Sequence, residues 1–545
     1  MSERTISRRA RRSTFVGTAA LVRFGLRRDR IHLPAWILGV VAYVLYVTSA
    51  FPAVAGTEEE LVATATLFAT PIGRMWVGPS FGMEAPTYEI FFASGYGLYL
   101  FILGALMSIL LVSRHTRAEE QNGRLELVRA NVVGRHANLT AALVLAGIAN
   151  LAAALVTAAS LLGTGYAPGG SWLMACALGL VGLAFAGVTA VTAQLVENSR
   201  AAAGLAGAVL GAAFMLRALG DMAAAGGSAL SWASPLGWAS QTAAYVLDRW
   251  WPLLLLAGLA AALVAVAFAL LERRDFGAGL VPARLGRADA HPLLGSPFGL
   301  AQRLQRNAAI AWGSVIAAFA LVDGMFADSL IEAARDMPPV LLEILGGAEG
   351  MADGYMALIA EISAYVTMAY VVFAAGSLLV EEQRGRMEAV LATPVSRLAW
   401  AGSHLGVIAL NATAIMLVAG LAGGLGFGSV TADWSAVTTS IAAHLNLLPA
   451  VLVVLGVVAL LFGWAPRLMA PVGWVLMAFS VVAGLFAPLL GLPDAVLDLS
   501  PMRHPARLPV EEFTLPPVLV LLAIAAAGTA LGLAGLRRRE VVNKG

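Results

Sequence analysis

Two short charged blocks carry most of the groups in this chain that could do chemistry. The first, EEQNGRLELVRANVVGR, spans residues 119–135, and the second, EEQRGRMEAVLATPVSR, spans residues 381–397. Aligned without gaps, they share Glu, Glu, Gln, Gly, Arg, Glu, Val, Ala, Val and Arg in the same order. Carboxylates and guanidinium groups favour ion pairs and charged contacts with a partner. Bond-breaking chemistry would need a nucleophile or an acid–base constellation, which neither block contains.

The spacing inside each block predicts a short helix. Glu120 and Arg124 lie four residues apart with the acid first, as do Glu382 and Arg386, which is the favourable order for a helical ion pair. A glycine in each block, Gly123 or Gly385, predicts a break between a membrane helix and a cytoplasmic helix.

Each helix also carries a narrow apolar stripe: Leu125, Val128 and Val132 in the first block, and Met387, Val390 and Leu391 in the second. Pro394 is expected to end the second helix. A solvated loop, kept out of the membrane by its charge, would explain the ions but not the repeated order. We therefore predict two partner-coupling segments. Their candidate residues are Glu119, Glu120, Arg124, Leu125, Glu126, Val128, Glu381, Glu382, Arg386, Met387, Glu388, Val390 and Pro394.

The composition predicts that lipid surrounds most of the chain. Of 545 residues, 59% are hydrophobic and only 12% are charged, and the mean hydropathy is +0.81. Soluble domains carry about 25% charged residues. Apolar runs long enough to cross a bilayer as helices predict an all-α polytopic protein with twelve spans. They lie at 34–54, 93–113, 139–163, 172–194, 201–217, 251–271, 308–326, 361–380, 404–428, 438–462, 468–491 and 517–536.

The distribution of cations predicts the topology. With both termini in the cytoplasm, all but six of the 35 Lys and Arg residues lie on the cytoplasmic side, as positive residues normally do. Each block then lies between the second and third span of a six-helix half, so the halves are parallel repeats. We expect a first half at 1–271, a cytoplasmic linker at 272–300 and a second half at 301–545. The basic segment 1–30 predicts a helix lying flat on the inner leaflet, in contact with membrane lipid.

Nucleotide hydrolysis through a P-loop is excluded by the lysine content of this chain. The phosphate-binding motif G-x-x-x-x-G-K-[ST] needs a lysine before Ser or Thr. The one lysine is Lys544, and Gly545 follows it. The chain is therefore not expected to be an enzyme or to hold a cofactor of its own, and any ATPase must be a separate polypeptide.

The second block resembles the coupling segment of ABC-2 type permeases, in which an acidic pair, a Gly, a Glu and a Pro-Val-Ser-Arg ending follow the second helix. The whole chain is similar to the actinobacterial exporters of polyketide antibiotics of the tetronasin-resistance type, through its basic N-terminal helix, its fused halves and its RRDFGAGL linker. The first block departs from that pattern, with NVVG in place of TPVS.

The resemblance implies a permease of the bacterial plasma membrane that exports hydrophobic, antibiotic-like small molecules. It also implies a separate ATP-binding subunit, in two copies, that binds ATP and Mg²⁺; no nucleic-acid partner is expected. The alternative is a secondary multidrug transporter driven by an ion gradient. Such carriers bury carboxylates or histidines in their helices. His444 and Glu361 are the candidates here, although packing or capping roles also fit them.

Overall fold

The computed structural model describes residues 14–130, 133–282, 289–328, 350–485 and 493–539. Within those residues the regular secondary structure is entirely helical, with helices long and apolar enough to make all twelve predicted spans. The chain is thus a multi-pass membrane protein. It divides into two compact units, Met1–Gly286 and Arg287–Gly545, and the division falls inside the stretch for which the sequence predicts a linker.

The first unit begins with a short amphipathic helix followed by the first span. The helix α1 ends beside the buried Asp29, and the chain turns before α2 begins at His32. The helices of this unit are α1 Thr18–Arg28, α2 His32–Val54, α3 Glu58–Ala69, α4 Pro71–Val77, α5 Tyr88–Phe91, α6 Gly97–His115, α7 Arg117–Gln121, α8 Arg124–Arg129, α9 Ala137–Gly163, α10 Pro168–Leu195, α11 Ser199–Ala223, α12 Pro235–Ser240 and α13 Pro252–Arg273.

The central helix of the first unit is α10. It packs against α6, α9 and α13. Its sequence, rich in Gly and Ala, presents small side chains that let neighbouring helices approach closely, as helices in lipid require. A π-helical turn at Phe92–Tyr96 joins α5 to α6, a local widening that the sequence pattern did not predict.

The second unit repeats this order of spans around the corresponding central helix, its fourth span α18. Its helices are α14 Pro297–Gly324, α15 Met351–Gln383, α16 Arg386–Leu391, α17 Arg397–Thr431, α18 Ala436–Trp464, α19 Pro466–Leu485, α20 Asp494–Leu497 and α21 Leu515–Arg538. The central α18 packs against α15, α17, α19 and α21. Here the first span, α14, is one continuous helix, with no separate amphipathic helix before it among the described residues.

Candidate functional site

The glycine breaks predicted in the two blocks are confirmed. In the first block, α7 ends at Gln121, Gly123 takes a φ of +67°, and α8 begins at Arg124. In the second, α15 ends at Gln383, Gly385 takes a φ of +68°, and α16 follows. Residues with a Cβ atom rarely adopt this left-handed backbone conformation, which explains why both positions are glycine. Each block therefore turns sharply and presents a second short helix.

The predicted i,i+4 ion pairs are wrong in both blocks. That spacing requires a continuous helix, and the glycine turn moves Arg124 and Arg386 away from the second acid of their own block. Glu120 instead forms an ion pair with Arg274, with an N–O distance of 2.6 Å. Glu382 forms one with Arg539, with an N–O distance of 2.7 Å. These partners are separated from their acids by more than 150 residues of sequence.

The two long-range pairs occupy corresponding places. Arg274 directly follows α13 and Arg539 directly follows α21, the last span of its unit in each case. The second acid of each block is therefore clamped to the end of the last span of its own unit. The similar sequences LLERRD and GLRRRE, which contain the two arginines, are the signal that could have identified them.

The first acid of each block faces the arginine that follows the glycine. Arg386 contacts Glu381 at 2.9 Å, and Arg124 lies 3.7 Å from Glu119. Both arginine side chains are about half exposed, at 53% and 54%. These pairs lie at the surface and stabilise the blocks only weakly.

Within the described part of the blocks, the first residue of each predicted apolar stripe does not face outward. Leu125 and Met387 are buried, with 4% and 1% of their surface exposed, so they hold the blocks to their units. Val390 is half-buried, and the side chain of Val128 lies outside the described residues. The prediction missed Leu127, which is 73% exposed. Ala389 occupies the matching exposed position in the second block.

The outer face of the blocks is thus defined by a different set of residues. It consists of exposed charged and small side chains with one large apolar residue. We call this set the exposed face: Arg124, Glu126, Leu127, Arg386, Glu388, Ala389 and Pro394.

The first block is also tied to the N-terminal helix. Arg28 of α1 forms an ion pair with Glu119. Asp29, which is fully buried, contacts His115 and lies 3.2 Å from Arg114. Leu125 and Glu119 line a small cavity together with residues of α1 and α9. The helix that the sequence predicts at the membrane surface is therefore part of the first block's support.

The second block has a neutral counterpart of this contact. Aligning Trp36 with Trp312 places Asp29 opposite Gln305, and the spacing between the blocks places His115 opposite Ser377. Gln305 Nε2 lies 3.5 Å from Ser377 Oγ, a long and weak hydrogen bond. The same position is thus ionic in the first unit and neutral in the second.

A further arginine, just before the first block, has no counterpart in the second unit. Arg117 is buried, pairs with Glu120 at 2.6 Å and donates to the carbonyl oxygens of Ala193 and Ala278. Arg274 also donates to the oxygen of Ala278, at 2.9 Å. Leu280 N–H donates to Gln194 O at 3.0 Å, which fixes the start of the predicted linker on the end of α10. Leu379 stands in the second unit at the position of Arg117.

Comparison with known proteins identifies a family for this chain. The family described as "Multidrug efflux system permease Rv1217c, C-terminal domain" matches residues 20–271 and 294–537. The chain is 38% identical over 536 residues to the multidrug efflux system permease protein Rv1217c of Mycobacterium tuberculosis (strain ATCC 25618 / H37Rv), with 97% of this chain and 96% of that protein covered. The match spans both units and both charged blocks, and the chain belongs to the Rv1217c family of multidrug efflux system permeases.

Proposed function

We propose that this protein is the membrane permease of an ATP-driven multidrug exporter. Its substrates are hydrophobic, antibiotic-like compounds, and it lies in the bacterial plasma membrane with both termini in the cytoplasm. A separate ATP-binding subunit, one copy on each block, binds ATP and Mg²⁺ and supplies the energy. The family supports drug efflux, because its relative from Mycobacterium tuberculosis is a multidrug efflux system permease protein. The ATP-binding partner and the narrower similarity to tetronasin-resistance exporters are part of the proposal.

The observation that carries the proposal is the repeated clamp between each block and the last span of its unit. A charged loop that merely stays out of the membrane has no need of a long-range buried ion pair. Glu120 and Glu382 have 8% and 7% of their side chains exposed, and each holds an arginine from the end of its unit. A force applied to a block would therefore reach α13 or α21 directly.

The exposed face is the part of each block available to a partner. Leu127 offers an apolar anchor, and Glu126 and Glu388 offer charges that would set the register of docking. The buried residues of the block hold it to the membrane helices, and the exposed ones would receive the ATP-binding subunit. This separation of roles revises the prediction that one apolar stripe serves for docking.

The test is transport in proteoliposomes of defined composition. The purified chain alone should hydrolyse no ATP, and export of a fluorescent hydrophobic dye should require both the ATP-binding subunit and ATP. Protein purified from its native membrane should carry a nucleotide-binding polypeptide that mass spectrometry identifies. Dye export by the chain alone, without nucleotide, would contradict the proposal.

The alternative function is a secondary multidrug transporter, which the buried titratable groups of the second unit favour. His444 in α18 is fully buried, and Glu361 in α15 is largely buried. Ion-coupled carriers use such groups. An imposed proton or sodium gradient should drive export in the absence of ATP if this alternative holds, and should have no effect under the ATP-driven proposal.

A further inference from the structure

The second unit contains a cavity of about 340 Å³ far from its charged block. Glu361, on its wall, precedes the block residue Glu381 by 20 residues of continuous helix in α15. At 1.5 Å per residue the two acids are about 30 Å apart. The cavity is within the size range of small-molecule sites, about 300–1,000 Å³.

The cavity combines an apolar wall with an ion pair. Leu358 and Tyr365 of α15, Leu447 of α18 and Met502 supply apolar and aromatic surface. Glu361 Oε1 accepts from Arg507 Nε at 2.9 Å, and these side chains are 16% and 30% exposed. Ionisable residues within membrane helices are costly to place there, so they usually serve binding or transport.

The charges around the cavity are unequal. Arg503 is held by Asp494 at 2.6 Å and by Asp498 at 3.1 Å. Glu361 and Glu511 both bond to Arg507, one through its guanidinium and the other through its backbone N–H. On the wall itself two carboxylates match two guanidinium groups. The surplus becomes negative because Arg503 is already held by the two exposed aspartates, which lie outside the wall.

The wall that carries Arg507 is fixed in place. Asn446 of α18 donates to the oxygen of Ala506 at 2.7 Å, and Ser500 and Met502 of the same segment are buried. On the other side of the cavity, the hydroxyl oxygen of Tyr365 lies very close to Gly484. A Cβ atom added to Gly484 would be only 1.7 Å from that oxygen. The absence of a side chain at Gly484 therefore allows α19 to approach Tyr365 closely.

We propose that this cavity binds lipophilic organic cations, with Glu361 as the countercharge and Arg507 as its competitor. A ligand of this class fits the apolar wall, offsets the surplus of carboxylates and gains attraction from the ring of Tyr365. A lipophilic anion would meet the same apolar surface but would be repelled by the carboxylates. The inference rests on the proposed efflux function only for its physiological meaning, because binding requires neither ATP nor a partner.

The test compares tetraphenylphosphonium with tetraphenylborate, two ions of similar shape and opposite charge. Binding of each to the purified full chain in non-ionic detergent is measured by equilibrium dialysis. Wild type should prefer the cation.

Glu361→Gln should weaken binding of the cation about tenfold, equivalent to about 1.4 kcal/mol. Arg507→Gln should strengthen it, because the competing guanidinium is gone. Asp353→Asn, at an exposed carboxylate of the same helix that does not line the cavity, is the matched control and should bind like wild type.

A purely structural ion pair gives a different result. Glu361→Gln and Arg507→Gln would then both lower the thermal stability, and the ratio of cation to anion binding would stay at the wild-type value. That unchanged ratio, or a wild type that prefers tetraphenylborate, would overturn the inference. Because no nucleotide is present, such a failure would leave the ATP-driven proposal standing. Intact cation binding without ATP-dependent transport would instead reject only the ATP-driven proposal.

Discussion

The two blocks have nearly the same sequence but different surroundings. Both place their second acid on an arginine at the end of the last span of their unit. Around the first block, Arg28, Asp29 and Arg117 add a set of ionic contacts. The second block has only the clamp to Arg539 and the surface pair of Glu381 with Arg386 among the ion pairs of the described residues. Residues outside a repeated motif therefore decide how firmly each copy is held.

This difference predicts unequal roles for the two blocks. A segment tied to α1, to α10 and to the linker moves only with its unit as a whole. A segment held by one ionic clamp and one buried methionine can shift with less loss of contact. We expect the first block to act as a fixed docking point and the second to transmit most of the movement. The variants below test that asymmetry.

The largest effect is expected at the second acid. Glu120→Ala leaves both Arg117 and Arg274 without their carboxylate, and these arginine side chains are only 1% and 4% exposed. Removing one partner of a buried ion pair costs about 3–5 kcal/mol. Glu382→Ala should cost less, because Arg539 is 21% exposed. Thermal unfolding in detergent measures both, with Glu126→Ala as the exposed control. Equal losses at Glu120 and Glu382 would contradict the asymmetry.

A smaller loss of stability is expected at the contact between Asp29 and His115, which is ionic in the first unit and neutral in the second. Asp29→Asn should destabilise the first unit by about 3 kcal/mol, since a buried charge network loses its only carboxylate. Asp29→Gln combined with His115→Ser recreates the pair found at Gln305 and Ser377. Compared with the single variants Asp29→Gln and His115→Ser, the double variant should recover part of the loss in a double-mutant cycle. A purely additive cycle would show that the two residues do not act together.

The linker contact offers a more local test. A Cβ on Gly279 would lie 2.7 Å from Leu195 O, too close for a real side chain. Gly279→Ala should therefore lift the linker from the end of α10 and cost about 1–2 kcal/mol. Limited proteolysis after Arg273 or Arg274 should accelerate. Gly295→Ala, at a glycine with open space around it, is the matched control, and equal cleavage of both variants would argue against the contact.

The smallest effect on stability is expected at the surface pair of the second block. Arg386 is about half exposed, so Arg386→Ala should change the free energy of unfolding by less than about 1 kcal/mol. Its effect should be on coupling, because Arg386 belongs to the exposed face. Substrate-stimulated ATP hydrolysis by the assembled complex should fall more for Arg386→Ala than for Arg124→Ala. A large drop in thermal stability with normal coupling would reverse this assignment of roles.

The sequence predicts the spans well because lipid imposes a single rule, about 20 apolar residues per helix. All twelve are confirmed, including 201–217 and 308–326, which extend as Ser199–Ala223 and Pro297–Gly324. Local backbone chemistry was also predictable, because Gly123 and Gly385 have a left-handed conformation that glycine favours. Residues 329–349, between α14 and α15, lie outside the described part of the chain.

The ionic partners could not be predicted from spacing inside the blocks. The i,i+4 rule describes a continuous helix, and the glycine turn removes that premise. Arg274 and Arg539 are brought to Glu120 and Glu382 by the packing of the last span, a contact over more than 150 residues. The burial of Leu125 and Met387 follows from the same packing. The repeated RRD and RRE endings are recognisable in the sequence, but only the structure shows which residues their arginines contact.

The most direct test of the central claim is site-specific photo-crosslinking from the exposed face. A photoreactive phenylalanine analogue replaces Leu127 or Ala389, the matching exposed positions of the two blocks, in cells that express the complete efflux system. We expect a crosslink from each position to an ATP-binding polypeptide, and none from the same analogue at Leu254, an exposed position in the membrane span α13. If neither block position crosslinks while the complex exports drug at the expense of ATP, the blocks are not the docking sites and the account is contradicted.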